Sequence, residues 1–109
     1  MNAKIVAACE AYSRGEGEKA FSLIAEEVQW HIIGDHTIIG LEGLKEICAE
    51  ATAQGQPNFE NNRTIQGKHH VIVEGCDLDN DVHYCDIYTA ENGFITEITS
   101  YSLAALEAE

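Results

Sequence analysis

The side chains here that can move protons or hold metal ions are five histidines, His31, His36, His69, His70 and His83, and four cysteines, Cys9, Cys48, Cys76 and Cys85. Histidine titrates near neutrality, so one held in a cavity can serve as a general base. His31 and His83 fall in segments of strand-like alternation and are the candidates for proton transfer. As metal ligands the nine residues are poorly spaced. No two histidines stand at i, i+4, and no two cysteines form the C-x-x-C pair of a zinc ribbon or a thioredoxin motif. His83 and Cys85 lie two apart on one strand face and can reach a common ion, but a closed site needs a third or fourth ligand that the sequence does not place. Asp77, Asp79 and Asp81 imitate the start of a calcium loop. Val82 then stands where the sharp turn needs glycine, and Tyr88 where the loop closes with glutamate. Gly15-x-Gly17 has neither the preceding strand nor the third glycine of a dinucleotide loop. No metal and no cofactor is expected.

Bulk composition narrows the partners. The chain has 109 residues, which suits one domain over 1–109 with a single modest core. It carries 19 acidic against 6 basic residues, a formal charge of -13, while 45% of residues are hydrophobic. That sign disfavours phosphate-driven nucleic-acid binding and attraction to anionic membranes, and the hydrophobic content argues against disorder. No apolar run approaches the roughly 20 residues that span a bilayer. The start, Met1 to Ala8, lacks the long apolar stretch of a secretory signal, so the cytoplasm is the expected location. In that compartment the cysteines stay reduced and read as small buried hydrophobes, and the acceptor triplet Asn62-Arg63-Thr64 has no consequence.

The elements that must position these residues follow from periodicity. Ile5, Ala8, Cys9 and Tyr12 recur at helical spacing, predicting a helix over 2–14 that Gly15 and Gly17 end. A short second helix is expected over about 18–25, with Ala20, Phe21 and Ile24 on one face. Val28, Trp30 and Ile32 alternate with Gln29 and His31, which marks a strand. Gly40 precedes a third helix whose stripe is Leu41, Leu44, Ile47, Cys48 and Ala51 and which Gly55 and Pro57 stop. Strands are then expected over 58–66, at Val71 to Val73, over 82–89 and over 94–103, with Asn92-Gly93 as a hairpin turn. The tail 104–109 reads as helical or frayed. Helices first and about four antiparallel strands after predict an α+β fold.

The order and the wording resemble the nuclear transport factor 2-like superfamily. Ala25-Glu26-Glu27-Val28-Gln29-Trp30-His31 is similar to that family's acidic pair leading into its first strand. Gly40-Leu41-Glu42-Gly43-Leu44 is similar to the glycine opening its third helix. His70-Val71-Ile72-Val73-Glu74-Gly75 resembles its central strand, and Gly93-Phe94-Ile95-Thr96-Glu97-Ile98-Thr99-Ser100-Tyr101 its last. The nearest in flavour are the SnoaL-like polyketide cyclases and the ketosteroid isomerases. The resemblance implies a cone-shaped curved antiparallel sheet, a cystatin-like α+β roll, with three helices in the N-terminal half closing a pocket. It also implies a homodimer through the outer sheet face.

With Thr89 opposite Phe94 in the hairpin, Cys85 faces Ile98 and His83 faces Ser100. His83, Cys85, Ile87, Thr96, Ile98 and Ser100 then share one face, and Tyr84, Asp86, Tyr88, Ile95, Glu97, Thr99 and Tyr101 the other. By the resemblance, the set with Ile98 and Ser100 lines the cavity, and the tyrosine-rich set suits a dimer interface. The first strand stays ambiguous. Counting back from Gly34 puts His31 where the isomerase carries its catalytic aspartate, and counting forward from the acidic pair puts Ile32 there. Hydrophobic alternation favours Trp30 inward. Cys85 falls where the isomerase has a protonated aspartic donor, with Asp86 beside it, and Tyr12 is a candidate tyrosine donor. An epoxide hydrolase's arginine between two carboxylates is not convincingly present, since Arg63 is the only arginine of the sheet region and Asp86 is expected to point outward.

The resulting expectation is a SnoaL-like pocket protein that binds a small apolar metabolite and isomerises or cyclises it by proton transfer from His31 or His83. Tyr12, Trp30, Cys85, Ile87, Ile98 and Ser100 would line the pocket. The alternative is a non-catalytic dimeric module that binds a ligand or a protein.

Overall fold

The computed structural model describes residues 1–104; the expectation for 105–109 lies outside the described residues. The chain runs α1 (Ala3–Ser13), two 3-10 turns (Gly17–Lys19 and Phe21–Leu23), β1 (Ile24–Ile32), β2 (Thr37–Ile39), α2 (Leu41–Ala53), β3 (Phe59–Gln66), β4 (His70–Asp77), β5 (Val82–Glu91) and β6 (Phe94–Ala104). The six strands form one curved sheet in the order β2-β1-β6-β5-β4-β3. All neighbours are antiparallel except β1 and β6, which run parallel. The α+β class holds.

Two expectations change. The helices among the described residues are two α-helices rather than three, because 18–25 folds as the two 3-10 turns and then joins β1. Ala20 and Ile24 are buried as the helical stripe required, but short turns deliver them. The sheet is also mixed rather than purely antiparallel, and it contains β2, a three-residue strand the sequence did not announce.

Asn2 caps α1, its side chain accepting from the Lys4 amide at 2.7 Å. α1 packs its buried stripe, Ile5, Ala8, Cys9 and Tyr12, against β3, β4 and β5. α2 lies over β1 and β2 and plants the fully buried Leu44 in the core. Between helices and sheet, Val28, Val71, Val73, Tyr88, Ile95 and Ile98 are all fully buried, so one layer of side chains joins the concave sheet face to both helices.

The β5–β6 hairpin sets which residues reach that layer. Asn92 and Gly93 both have positive φ, 53° and 82°, as a two-residue type I′ turn requires. Glu91 pairs Phe94 and Ala90 pairs Ile95; then Thr89 pairs Glu97, leaving Thr96 as an extra residue on β6. This bulge reverses the facing of everything beyond it. Cys85 therefore pairs Tyr101 rather than facing Ile98, and His83 pairs Leu103 rather than Ser100. The residues opposite Ile98 and Ser100 are Tyr88 and Asp86.

Candidate functional site

The concave face carries a connected polar cluster at its centre. Asp86 on β5 stands opposite Ser100 on β6, and Ser13, the last residue of α1, reaches over both. The Trp30 indole Nε1 donates to Ser100 Oγ at 2.9 Å. The Ser13 and Tyr88 hydroxyls are 2.6 Å apart. Both serines hydrogen-bond to the Asp86 carboxyl, which is only 8% exposed. Two short chains of hydroxyls, one starting at the Trp30 indole and the other at the Tyr88 phenol, thus converge on one acid.

The electrostatics follow from burial. Loss of solvent pushes the Asp86 carboxyl above the usual aspartate range, and the hydrogen bonds from Ser100 and Ser13 offset only part of that. Desolvation likewise holds the Tyr88 and Tyr12 phenols in their neutral form, with the negative charge of Asp86 adding to the effect on each. Burial therefore favours the neutral form of each of these acids. Tyr12 sits edge-on to both Trp30, at 5.4 Å between ring centroids, and Tyr88, at 6.2 Å. Cys48 of α2 donates its thiol to the Tyr12 hydroxyl at 3.7 Å. Trp30, Ser100 and Cys48 are half-buried and form the wall between this cluster and solvent. Farther along the same face, the Tyr84 hydroxyl donates to Asn61 Oδ1 at 2.7 Å, and its phenol is pushed up to about 12 by burial.

Of the residues expected to line the pocket, Tyr12, Trp30, Ile98 and Ser100 come together here. Trp30 points inward, as hydrophobic alternation favoured. His31 points the other way, its Nδ1 3.0 Å from Thr37 Oγ1 and its Nε2 3.3 Å from Glu97. Cys85, Ile87 and His83 lie on the convex face, paired with Tyr101, Thr99 and Leu103. Neither candidate histidine meets the concave cluster. Asp86, expected to point outward, is instead the acid at its centre, and Ser13 and Tyr88 complete it. The bulge is the physical reason for these reversals. One sequence signal could have found Asp86: on a β-rich segment, a single carboxylate alternating with Tyr84 and Tyr88 sits on the aromatic side of the pleat, and that side is the core.

Two surface depressions lie away from this cluster. One, of about 460 Å³, opens between the start of α1 and the β3–β4 and β5–β6 turns, lined by Asn2, Ile5, Lys68, His69 and Glu91 among others. The second, of about 310 Å³, is bordered by Glu74, His83, Cys85, Tyr101 and Leu103.

No family model matches the chain, and no curated protein matches it in sequence. Solved structures do match. An NTF2-like protein of Cytophaga hutchinsonii superposes with a TM-score of 0.78 at 26% identity, over 89% of this chain and 94% of that one. The fold is that of the nuclear transport factor 2-like superfamily. A putative ketosteroid isomerase of Kribbella flavida matches this NTF2-like chain with a TM-score of 0.75 at 15% identity, over 97% of it and 82% of the other protein. A Catenulispora acidiphila protein with a ketosteroid isomerase-like fold, crystallised with trimethylamine, matches with a TM-score of 0.67 at 17% identity, over 93% and 86%. No helix of the described residues is long and apolar enough to cross a membrane.

Proposed function

We propose that this NTF2-like chain binds a small organic molecule at the concave face, against the half-buried wall of Trp30, Ser100 and Cys48, and holds it by a hydrogen bond from the Asp86 cluster behind that wall. The single observation that carries the reading is Asp86: an acid buried at the centre of the cone, its pKa raised by desolvation, and served by two hydroxyl chains. A protonated acid in an apolar wall is a strong donor toward a carbonyl or an enolate oxygen, and it gains most when that oxygen develops charge. The ligand class is a molecule with an apolar body, to lie against Trp30 and Tyr12, and one accepting oxygen. The use of this fold for small molecules in a relative crystallised with trimethylamine supports the reading. Proton transfer by His31 or His83 is not carried forward, since both side chains lie on the convex side.

The convex face favours a second reading for the same chain. Ile65, Ile72, Ile87 and Thr99 form one cross-strand row, and Tyr101 and Leu103 stand exposed beside it. Aromatic and aliphatic groups at this density suit a homodimer interface, and a dimer without ligand would be a binding module. Trp30 is the only tryptophan, so its fluorescence reads binding at the concave face. A panel of cyclic ketones and phenols titrated against the protein should quench or shift Trp30 emission, with affinity falling in Asp86→Leu and surviving in Asp86→Asn. A panel that leaves Trp30 and the thermal midpoint untouched leaves the dimeric module as the working description.

A further inference from the structure

The convex face carries a cluster that the concave site does not use. Cys76 on β4 and His83 on β5 are directly opposed in the antiparallel register. The turn between these strands ends at Asp81, which holds a positive φ of 53° and brings its carboxylate to the same point. A cysteine sulfur, a histidine nitrogen and an aspartate oxygen all lie within 4.8 Å of one another. The sequence offered only His83 with Cys85, which lacked a third ligand. The fold replaces Cys85 with Cys76 from across the hairpin and supplies Asp81.

We propose that Cys76, Asp81 and His83 form a binding site for a borderline-soft divalent cation of the zinc class. Tetrahedral bonds of about 2.0–2.3 Å hold donor atoms roughly 3.3–3.7 Å apart, so side-chain rotations within the present spacing close the site. The donor types exclude magnesium and calcium, which take oxygen alone, and favour zinc. The charges also balance. Cys76 loses its thiol proton to solvent on binding, and its thiolate with the Asp81 carboxylate offsets the two positive charges of the ion, while His83 binds as neutral imidazole. The fourth position is left to water. His83 also borders the 310 Å³ depression, so the ion would face an open space.

The test uses the full chain, reduced and stripped of metal, titrated with cobalt(II) under absorption spectroscopy and with zinc(II) by calorimetry. One equivalent should bind with a thiolate-to-cobalt charge-transfer band. Cys76→Ser should remove the band, and His83→Asn and Asp81→Ala should each weaken zinc binding by roughly tenfold or more. Cys85→Ser should leave both readouts unchanged. Circular dichroism of each variant separates loss of a ligand from loss of fold. The proposal is overturned by a folded Cys76→Ser protein that keeps the band, by zinc affinity equal in wild type and folded His83→Asn, or by weak binding without a band, which the acidic surface alone would give.

Discussion

Replacing Asp86 with asparagine tests the physics at the centre of the cone. In the folded chain Asp86 keeps its proton to higher pH than an unfolded aspartate, whose pKa is about 3.9. Between those two values the folded state binds more protons, so stability falls as pH rises, by up to about 1.4 kcal/mol per pH unit for one proton. The contribution is complete below the unfolded pKa and is lost as pH passes through the folded one. Asparagine keeps the neutral shape and cannot ionise, so it escapes the loss. Urea unfolding followed by Trp30 fluorescence, at constant ionic strength and at steps from about pH 3 to 8, gives the stability of each protein. The variant minus wild-type difference should be flat below about pH 4 and then climb with a slope approaching 1.4 kcal/mol per unit. It should level off above the folded pKa, with asparagine the more stable form. A difference that stays flat or falls with pH would refute the reasoning. It would mean that the Ser13 and Ser100 hydroxyls support the carboxylate better than burial penalises it.

Other outcomes follow from single contacts. Ser13→Ala removes one hydroxyl that supports the charged form of Asp86, so the climb described above should extend to higher pH in this background; an unchanged profile would show that Ser13 does not serve the acid. Gly75→Ala places a methyl 2.3 Å from both the Glu60 carbonyl and the Tyr84 hydroxyl, and should cost about 1–3 kcal/mol in urea unfolding, unless β3 gives way at no cost and the midpoint holds. Tyr88→Phe strips a hydroxyl from a fully buried ring bonded to Ser13, and should cost about 1–3 kcal/mol; a neutral result would place the Ser13 bond outside the cluster's energetics. If the convex face pairs two copies, Tyr101→Glu with Leu103→Glu should halve the mass in sedimentation velocity without changing the circular dichroism spectrum.

The parts legible in the sequence are those written in periodicity. The stripe of Ile5, Ala8, Cys9 and Tyr12 gave α1, Gly40 and the leucines gave α2, and Asn92-Gly93 located the hairpin. Trp30 was placed inward because a large apolar side chain decides a pleat. What escaped was carried by irregularity. A bulge is one unpaired residue, and Thr96 has nothing in its chemistry to announce it, so the facing of β5 came out reversed and Asp86 was set outside. β2 is three residues long, too short to show alternation. The stretch 18–25 satisfies helical spacing by chance, because two consecutive 3-10 turns bury Ala20 and Ile24 with nearly the same rhythm.

The parallel pairing of β1 with β6 has a kinetic meaning as well. It joins Trp30 to Ser100 across seventy residues of chain, and no local hairpin can stand in for it. Strands β3 to β5 can zip through adjacent antiparallel contacts, whereas β1 must wait for the final strand before its inner edge is satisfied. On a ribosome, the first strand and β2 would leave the exit tunnel long before β6 is made. Closure of the indole hydrogen bond would therefore be among the last events of folding, and the environment of a single tryptophan would record when synthesis and assembly are complete.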